Sequence, residues 1–139
     1  MRGDKAFIDS NILLYLYSDS EADKKAICVD ALGKYRWISS TQAINEFCNV
    51  FLRKWKRNSD EAQIAIREIR GVCKIFLLDF PTIVYAVELY SKYGFSYYDC
   101  LMLSSAIRNR CKYILTEDMQ DGQIVDGLEI VNIFERGRL

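Results

Sequence analysis

Residues 5–17 read KAFIDSNILLYLY, a short apolar run that meets an aspartate and then continues into a longer apolar stretch. The run at residues 6–8 predicts a buried strand, and residues 10–17 predict a helix. In α/β proteins, functional sites form at the carboxyl ends of parallel strands. Asp9 follows the strand directly and is therefore a candidate site residue, although aspartate is also a preferred helix N-cap. Asn11 lies two residues further on, where it could orient a ligand or a water.

The alternation of short apolar runs with longer periodic segments continues along the chain. Further strands are predicted at residues 37–38, 74–78, 112–115 and 129–134. Further helices are predicted at residues 21–32, 40–54, 59–71, 81–93 and 96–110. The pattern indicates an α/β protein with a mostly parallel sheet and helices on both faces, folded as a single domain over residues 1–139.

Several helix ends are predicted from individual residues. Gly33 is the expected stop of the helix at residues 21–32. Ser39 and Gln42 have capping-box spacing for the helix at residues 40–54. Ser59 and Ser96 are the expected N-caps of the helices that follow them.

The composition limits the chemistry that the chain can perform. Its 139 residues include no histidine, and 19 Lys and Arg balance 19 Asp and Glu. Zero net charge argues against a protein held to nucleic acid by charge alone. Because no imidazole is available as a base or a metal ligand, carboxylates and a hard metal ion are the expected tools.

The five cysteines form no C-x-x-C pair, and most lie in apolar, helix-like stretches. Free thiols in a reducing cytoplasm are the expectation. The N-terminal residues contain no apolar run long enough for a signal peptide, and no segment approaches the ~20 apolar residues of a membrane span. The sequence therefore predicts a cytoplasmic protein without a membrane segment.

Four acids stand where acids are not expected. Asp9 and Asp118 follow predicted strands, so both fall on the carboxyl edge of the sheet. Glu46 lies at the margin of the apolar face of a helix, where a solvated glutamate would also be ordinary. Asp118 could equally be an ordinary polar residue of the loop that follows its strand. Each acid alone therefore has a structural explanation.

Asp99 is the most informative of the four, because the residues three, four and seven positions later are Met102, Leu103 and Ala106. It therefore lies on an apolar stripe, where an unpartnered carboxylate costs roughly several kcal/mol. The competing reading is a capping box with Ser96. If the four acids converge, two charges ~4 Å apart repel by about 4 kcal/mol at an effective dielectric near 20. A divalent cation or raised pKa values would then be needed, and all-oxygen ligation suits Mg²⁺ or Mn²⁺.

The blocks FIDSNILLY, INEF, SYYDCLML and ILTEDMQDGQ, in this order, resemble the PIN-domain family, and in particular the VapC-like toxins of prokaryotic toxin–antitoxin pairs. The similarity runs from about residue 6 to residue 134. The resemblance implies a three-layer α/β/α fold and a Mg²⁺- or Mn²⁺-dependent endoribonuclease that hydrolyses RNA phosphodiester bonds. Asp9, Glu46 and Asp99 resemble the family's core metal-binding acids. Asp118 matches a fourth, more variable acid, with Thr116 as the hydroxyl beside it and Asp121 as a second candidate for that position.

The resemblance also implies partners: an RNA substrate, a protein antitoxin and a second copy of the chain in a homodimer. RNA binding needs positive charge near the site. Candidates for phosphate contacts and base stacking form one run: Arg53, Lys54, Trp55, Lys56 and Arg57. A solvated helix end explains the same run equally simply, because cations there favour the helix dipole.

Two other functions fit parts of the pattern. A phosphatase-like enzyme of another α/β family would use Asp9 as its nucleophile, but its D-x-D pattern needs an acid at position 11, where this chain has Asn11. A non-catalytic interaction protein would use the acids only as caps and surface charges. It predicts no dependence on metal.

Overall fold

The computed structural model describes residues 3–136, which build one six-stranded sheet with the strand order β3-β2-β1-β4-β6-β5. The strands are β1 (Lys5–Ile8), β2 (Arg36–Ser40), β3 (Lys74–Phe76), β4 (Tyr113–Leu115), β5 (Ile124–Val125) and β6 (Leu128–Val131). The helices are α1 (Ser10–Tyr15), α2 (Ala22–Lys34), α3 (Thr41–Asn49), α4 (Ser59–Val72), α5 (Phe80–Tyr93), α6 (Tyr97–Arg108) and α7 (Ile133–Arg136). Residues 1–2 and 137–139 lie outside the described part, so the predicted domain boundaries stay a prediction.

Strands β1, β2, β3, β4 and β6 pair in parallel, and only β5 runs antiparallel, against β6. Parallel strands need long crossover connections, which the helices between them supply. The predicted α/β class is confirmed, with the mostly parallel sheet as the middle of three α/β/α layers. Consequently β1, β2 and β4 all end at the same edge of the sheet.

Strand β1 lies in the centre of the sheet and of the core. Ala6, Phe7 and Ile8 are completely buried, and so are Ile114 and Leu115 in neighbouring β4. A strand covered by helices on both faces is expected to be apolar at every position rather than at alternate ones. Phe47 and Phe51 stack at 5.2 Å between ring centroids and continue the core under α3. The ends of β1 and β4 therefore lie within the core.

Three predicted helix boundaries are wrong. Helix α2 passes through Gly33 and ends at Lys34. Ser40, not Ser39, caps α3, because its Oγ accepts from the Ala43 N–H, while the Ser39 hydroxyl donates to the Ile8 carbonyl oxygen at 2.8 Å. Helix α4 is capped not by Ser59 but by Asn58, which forms a reciprocal capping box with Glu61.

The helix predicted at residues 40–54 changes its winding halfway. It is α-helical to Asn49 and continues as a π-helical turn over Val50–Lys54, in which the Trp55 N–H donates to the Val50 carbonyl oxygen at 2.9 Å. Such wider turns insert one residue into the hydrogen-bond ladder. The predicted strand at residues 129–134 is also wrong in its second half. It ends at Val131, because the Asn132 side chain accepts from the Phe134 N–H and starts α7.

All five cysteines are free, and all but Cys48 are buried. Burial raises the pKa of the Cys28, Cys73 and Cys111 thiols to about 12, so they behave as small apolar groups. Within residues 3–136, no helix combines the length and the apolar character that a membrane span requires.

Candidate functional site

Asp9 occupies the carboxyl end of the central strand, as predicted. Its Oδ1 accepts the Ser10 N–H at 2.6 Å, which caps α1, and its Oδ2 accepts the Thr116 hydroxyl at 2.7 Å. Ile8 pairs with Leu115 in the register of β1 and β4, so Asp9 and Thr116 stand side by side just beyond the strand ends. Asp9 is therefore both a cap and a nearly buried carboxylate, with only 6% of its surface exposed.

Asp118 reaches the same edge from the loop after β4. Its Oδ2 accepts the Asn11 side-chain N–H at 2.9 Å, and its backbone N–H donates to Thr116 Oγ1 at 3.2 Å. Asn11 Oδ1 is buried and accepts no hydrogen bond from residues 3–136. Asp121, the other candidate for the fourth acid, accepts the Asn132 backbone N–H at 2.9 Å. It thus helps to hold the loop against the end of β6.

Glu46 lies in the second turn of α3 and is half-buried. Its Oε2 accepts the Gln42 side-chain N–H at 2.9 Å, and its Oε1 lies 3.4 Å from the Ser10 hydroxyl, which also contacts Asp9 Oδ1 at 3.3 Å. Ser10 therefore bridges Asp9 and Glu46. Neither Ser10 nor Gln42 was predicted as a site residue, although Gln42 precedes Glu46 by one helical turn and such pairs share a helix face.

Asp99 lies in the first turn of α6, half-buried. The Ser96 hydroxyl accepts the Asp99 N–H at 3.3 Å, so Ser96 caps the helix as predicted. The Asp99 carboxylate does not cap the Ser96 N–H in return. It accepts a hydrogen bond from the Ser96 side chain, which lowers the Asp99 pKa. The predicted capping box therefore does not account for an acid at position 99.

The four acids form a ring of electrostatic neighbours, which we call the carboxylate ring: Asp9 faces Glu46 and Asp118, and Asp99 faces the same two. Burial raises the pKa of Asp9 to about 6, the hydrogen bonds from Thr116 and Ser10 lower it, and the charges of Asp118 and Glu46 raise it. Burial also raises the pKa of Glu46 and of Asp99, and each is raised further by its acidic neighbour. The ring concentrates negative charge that the protein itself does not neutralise.

The donor set suits a hard divalent cation. Carboxylate oxygens together with an amide oxygen are the ligands of Mg²⁺ and Mn²⁺, and Asn11 Oδ1 is a buried acceptor without a donor. Within residues 3–136, no three acid or thiol side chains are grouped closely enough to ligate one ion as they stand. The chemistry of the residues therefore fits a cation, while their side chains are spread around a ring.

Glu117, between Thr116 and Asp118, anchors the loop that carries them. Its carboxylate forms an ion pair with Lys24 of α2 and accepts the Tyr15 hydroxyl of α1 at 2.6 Å. The Lys24 ammonium also lies 5.0 Å from the centre of the Tyr15 ring. This clamp was not predicted, because nothing in the sequence of residues 117–119 distinguishes a paired acid from a free one.

The basic run at residues 53–57 divides into free and engaged side chains. Arg57 pairs with Asp19 at 2.7 Å and with Glu61 at 3.1 Å, and the half-buried Trp55 packs on Phe51. Arg53, Lys54 and Lys56 are exposed at the end of the π-helical turn. A role of this run in RNA binding stays a prediction.

The fold and the carboxylate ring define an α/β domain with an acidic site at the carboxyl edge of its sheet. The PIN-domain family model matches residues 6–120. The chain therefore belongs to the PIN-domain family, as its resemblance in sequence indicated. No curated protein matches the chain.

Solved structures of toxins share the fold. A toxin–antitoxin complex from Klebsiella pneumoniae matches with a TM-score of 0.70 and 20% identity, over 92% of this chain and 97% of that chain. VapBC2 from Rickettsia felis, bound to a DNA fragment of its promoter, matches with a TM-score of 0.65 and 14% identity, over 91% and 96%. VapC20 from Mycobacterium tuberculosis, a toxin that cleaves the sarcin–ricin loop, matches with a TM-score of 0.64 and 15% identity, over 78% and 86%. The predicted likeness to VapC-type toxins is confirmed at the level of fold.

Proposed function

We propose that this protein is a metal-dependent endoribonuclease and the toxin of a type II toxin–antitoxin pair. The observation that carries the proposal is the carboxylate ring at the carboxyl edge of a PIN-domain sheet. Asp9, Glu46, Asp99 and Asp118 supply acids from two strand ends and two helices. Burial and the charge of acidic neighbours raise the pKa values of Asp9, Glu46 and Asp99. Such perturbed clusters are typical of functional sites.

Asp9, Asp99 and Asp118 would hold Mg²⁺ or Mn²⁺, with Glu46 as a further ligand or as the group that positions the attacking water. A bound divalent cation lowers the pKa of a coordinated water and neutralises charge on a phosphoryl oxygen. The chain's own residues orient the acids. Thr116 holds Asp9 by one oxygen, and Gln42 and Ser10 hold the two oxygens of Glu46. We propose Asp118 for the fourth position because its charge acts on Asp9 and Asp99, whereas Asp121 is engaged with the Asn132 backbone.

The partners belong to the same proposal: an RNA substrate, a protein antitoxin and a second copy of the chain, all in the cytoplasm. Structural relatives that are toxin–antitoxin complexes support the antitoxin. Free buried thiols suit a reducing compartment. An exposed apolar stripe on α5 supports the homodimer, because stripes of this kind mark interaction surfaces.

The proposal is tested by incubating the purified chain with structured RNAs in Mg²⁺, in Mn²⁺ and in EDTA. We expect cleavage only with metal, and a loss of roughly 100-fold or more in Asp99→Asn, because removing one preorganised charge typically costs that much. Asp118→Asn is expected to lose activity and Asp121→Asn to retain most of it, which separates the two candidates for the fourth acid. If wild type and Asp99→Asn leave every RNA equally intact, the ribonuclease proposal fails.

The two other functions receive less support. Among residues 3–136, no lysine forms an ion pair or hydrogen bond with any of the four acids, whereas an aspartyl-phosphate enzyme needs one near its site. If the chain hydrolyses p-nitrophenyl phosphate and Asp9→Asn loses this activity, the function as an aspartyl-phosphate enzyme is favoured. An interaction protein gives no role to four acids that the fold brings together at the carboxyl edge of the sheet.

A further inference from the structure

A groove opens beside the carboxylate ring, between α3 and the start of α6. Its volume is about 440 Å³, and Glu46 forms one of its walls. Leu78 and Leu101 give it an apolar base, and Tyr98 is 68% exposed at its margin. This volume lies in the range of ligand-binding sites. A planar group next to a scissile phosphate would find an apolar surface and an aromatic ring here.

Gln42 in the wall of this groove is oriented by two acceptors. Its side-chain N–H groups donate to Glu46 Oε2 at 2.9 Å and to the Tyr98 carbonyl oxygen at 3.2 Å. Its Oε1 must therefore point the other way, where it is buried and receives no hydrogen bond from residues 3–136. Only 8% of the residue is exposed. A buried acceptor without a donor calls for an explanation, and a ligand N–H would satisfy it.

The groove continues past Thr41 and Asn45 into a second one of about 480 Å³ between α3, α4 and β3. Arg67 and Arg70 of α4 line the second groove. Neither arginine forms an ion pair or hydrogen bond within the described part of the chain, in contrast to Arg57. Two free guanidinium groups at the far end of a path from the acids are suited to bind phosphate.

On the basis of the proposed function, we propose that single-stranded RNA leaves the carboxylate ring along these two grooves. One base stacks on Tyr98 and, after a side-chain rotation that turns the buried Gln42 Oε1 into the groove, donates to that oxygen. A phosphate further along the strand contacts Arg67 and Arg70. Every natural base has an N–H donor on its edge, so the Gln42 contact suits any base. The free positive charge on the RNA path is thereby assigned to α4 rather than to the predicted run at residues 53–57.

The alternation of chemistry along the path favours RNA over a second copy of the chain. An aromatic ring and an unpaired acceptor lie next to the acids, and unpaired cations follow at the other end. Single-stranded nucleic acid is bound by this combination of stacking surfaces and positive charge. A protein partner would need the acceptor to be paired and the arginines to meet carboxylates.

The test measures binding of a fluorescent single-stranded RNA oligonucleotide to the full chain carrying Asp99→Asn, in Mg²⁺, over a series of KCl concentrations. Tyr98→Ala is expected to weaken binding roughly 10-fold or more, and Tyr98→Phe by less than about 2-fold, because only the ring is needed for stacking. Gln42→Met is expected to weaken binding by a smaller factor.

Arg67→Ala with Arg70→Ala is expected to reduce the slope of log K against log salt by about 0.7, the value for the loss of one phosphate contact to a single strand. The charge-matched control is Lys34→Ala with Lys112→Ala, at the opposite edge of the sheet, which is expected to leave the slope unchanged.

If RNA binds but none of these groove variants changes its affinity or slope, the path is wrong although the proposed function stands. If no RNA binds, the proposed function fails as well. If Tyr98→Ala instead separates a dimer into monomers with RNA binding unchanged, the groove belongs to a second copy and the inference is overturned.

Discussion

Asp9 shows at the level of one residue how a cap and a site can share a carboxylate. One oxygen caps α1 through Ser10 and the other accepts from Thr116, and both contacts are possible only for a side chain at the end of β1. The cost is burial, which raises the pKa of Asp9 to about 6. Because an unfolded aspartate ionises near 3.8, the folded chain binds an extra proton between these two values.

The sign of the resulting pH dependence follows from the raised pKa. The contribution of protonated Asp9 to stability is complete below about pH 4 and is lost as the pH rises through about 6. A difference of one in pKa is worth about 1.4 kcal/mol, so the loss amounts to about 3 kcal/mol. In EDTA, we expect Asp9→Asn to raise the free energy of unfolding at pH 7.5 by up to that amount and to change it little at pH 4.

Urea denaturation of both proteins at the two pH values measures this difference. Asp121→Asn is a suitable control, since it also replaces an aspartate by asparagine in the loop beside the ring. Equal stability of wild type and Asp9→Asn at pH 7.5 would contradict the burial of an ionised Asp9.

Addition of Mn²⁺ is expected to stabilise wild type more than Asp9→Asn, because a ligand stabilises the folded state that binds it.

At the level of elements, α2 shows why a glycine does not always end a helix. Gly33 lies inside α2, no atom lies within 4 Å of the position that a Cβ would take, and the helix ends one residue later at Lys34. Gly94 does end α5, with φ at 75° in the left-handed region and its N–H donating to the Tyr90 carbonyl oxygen. The composition of the two segments does not distinguish these roles, but the backbone conformation does.

We expect Gly33→Ala to stabilise the protein by about 0.5–1 kcal/mol, because alanine loses less chain entropy in a helix than glycine does. Gly94→Ala is the matched counterpart. It should destabilise by about 1–2 kcal/mol, since a Cβ is strained at positive φ. Thermal or urea denaturation measures both. Destabilisation by Gly33→Ala would show that the helix ends where the sequence predicted.

At the level of the whole molecule, α5 leaves one apolar face uncovered. Phe80, Val84 and Val87 are spaced by one helical turn and are 75%, 45% and 55% exposed. A monomer seldom exposes such a stripe. We expect it to be buried in the homodimer, with the same face of both copies in contact.

Val84→Glu with Val87→Glu is expected to dissociate the dimer, because two charges would be buried against their own copies across a two-fold axis. Sedimentation at several protein concentrations measures the dimer fraction. Val29→Glu on α2, where the valine is 51% exposed, provides the control and is expected to leave the dimer intact. A wild-type chain that sediments as a monomer at every concentration would contradict the homodimer.

The sequence alone was sufficient for the α/β class and the mostly parallel sheet, because apolar runs and their spacing are local properties. The resemblance of four motif blocks indicated the family. It predicted Ser96 as a cap correctly. It misassigned the caps of α3 and α4, because Ser39 and Ser40 in one case, and Asn58 and Ser59 in the other, are chemically equivalent neighbours. Strand β5 has only two residues, too few for a pattern to show, and was missed.

The sequence by itself determined which acids were available and that no imidazole could replace them. Only the tertiary structure brought Asp9, Glu46, Asp99 and Asp118 together, since they are spread over more than a hundred residues and meet through the crossing of β1, β4, α3 and α6. The structure alone also showed that Asp118 accepts from Asn11, that Asp121 accepts from the Asn132 backbone and that Glu117 pairs with Lys24. The physical reason is that charge, burial and hydrogen bonding depend on neighbours in space, which a one-dimensional pattern does not contain.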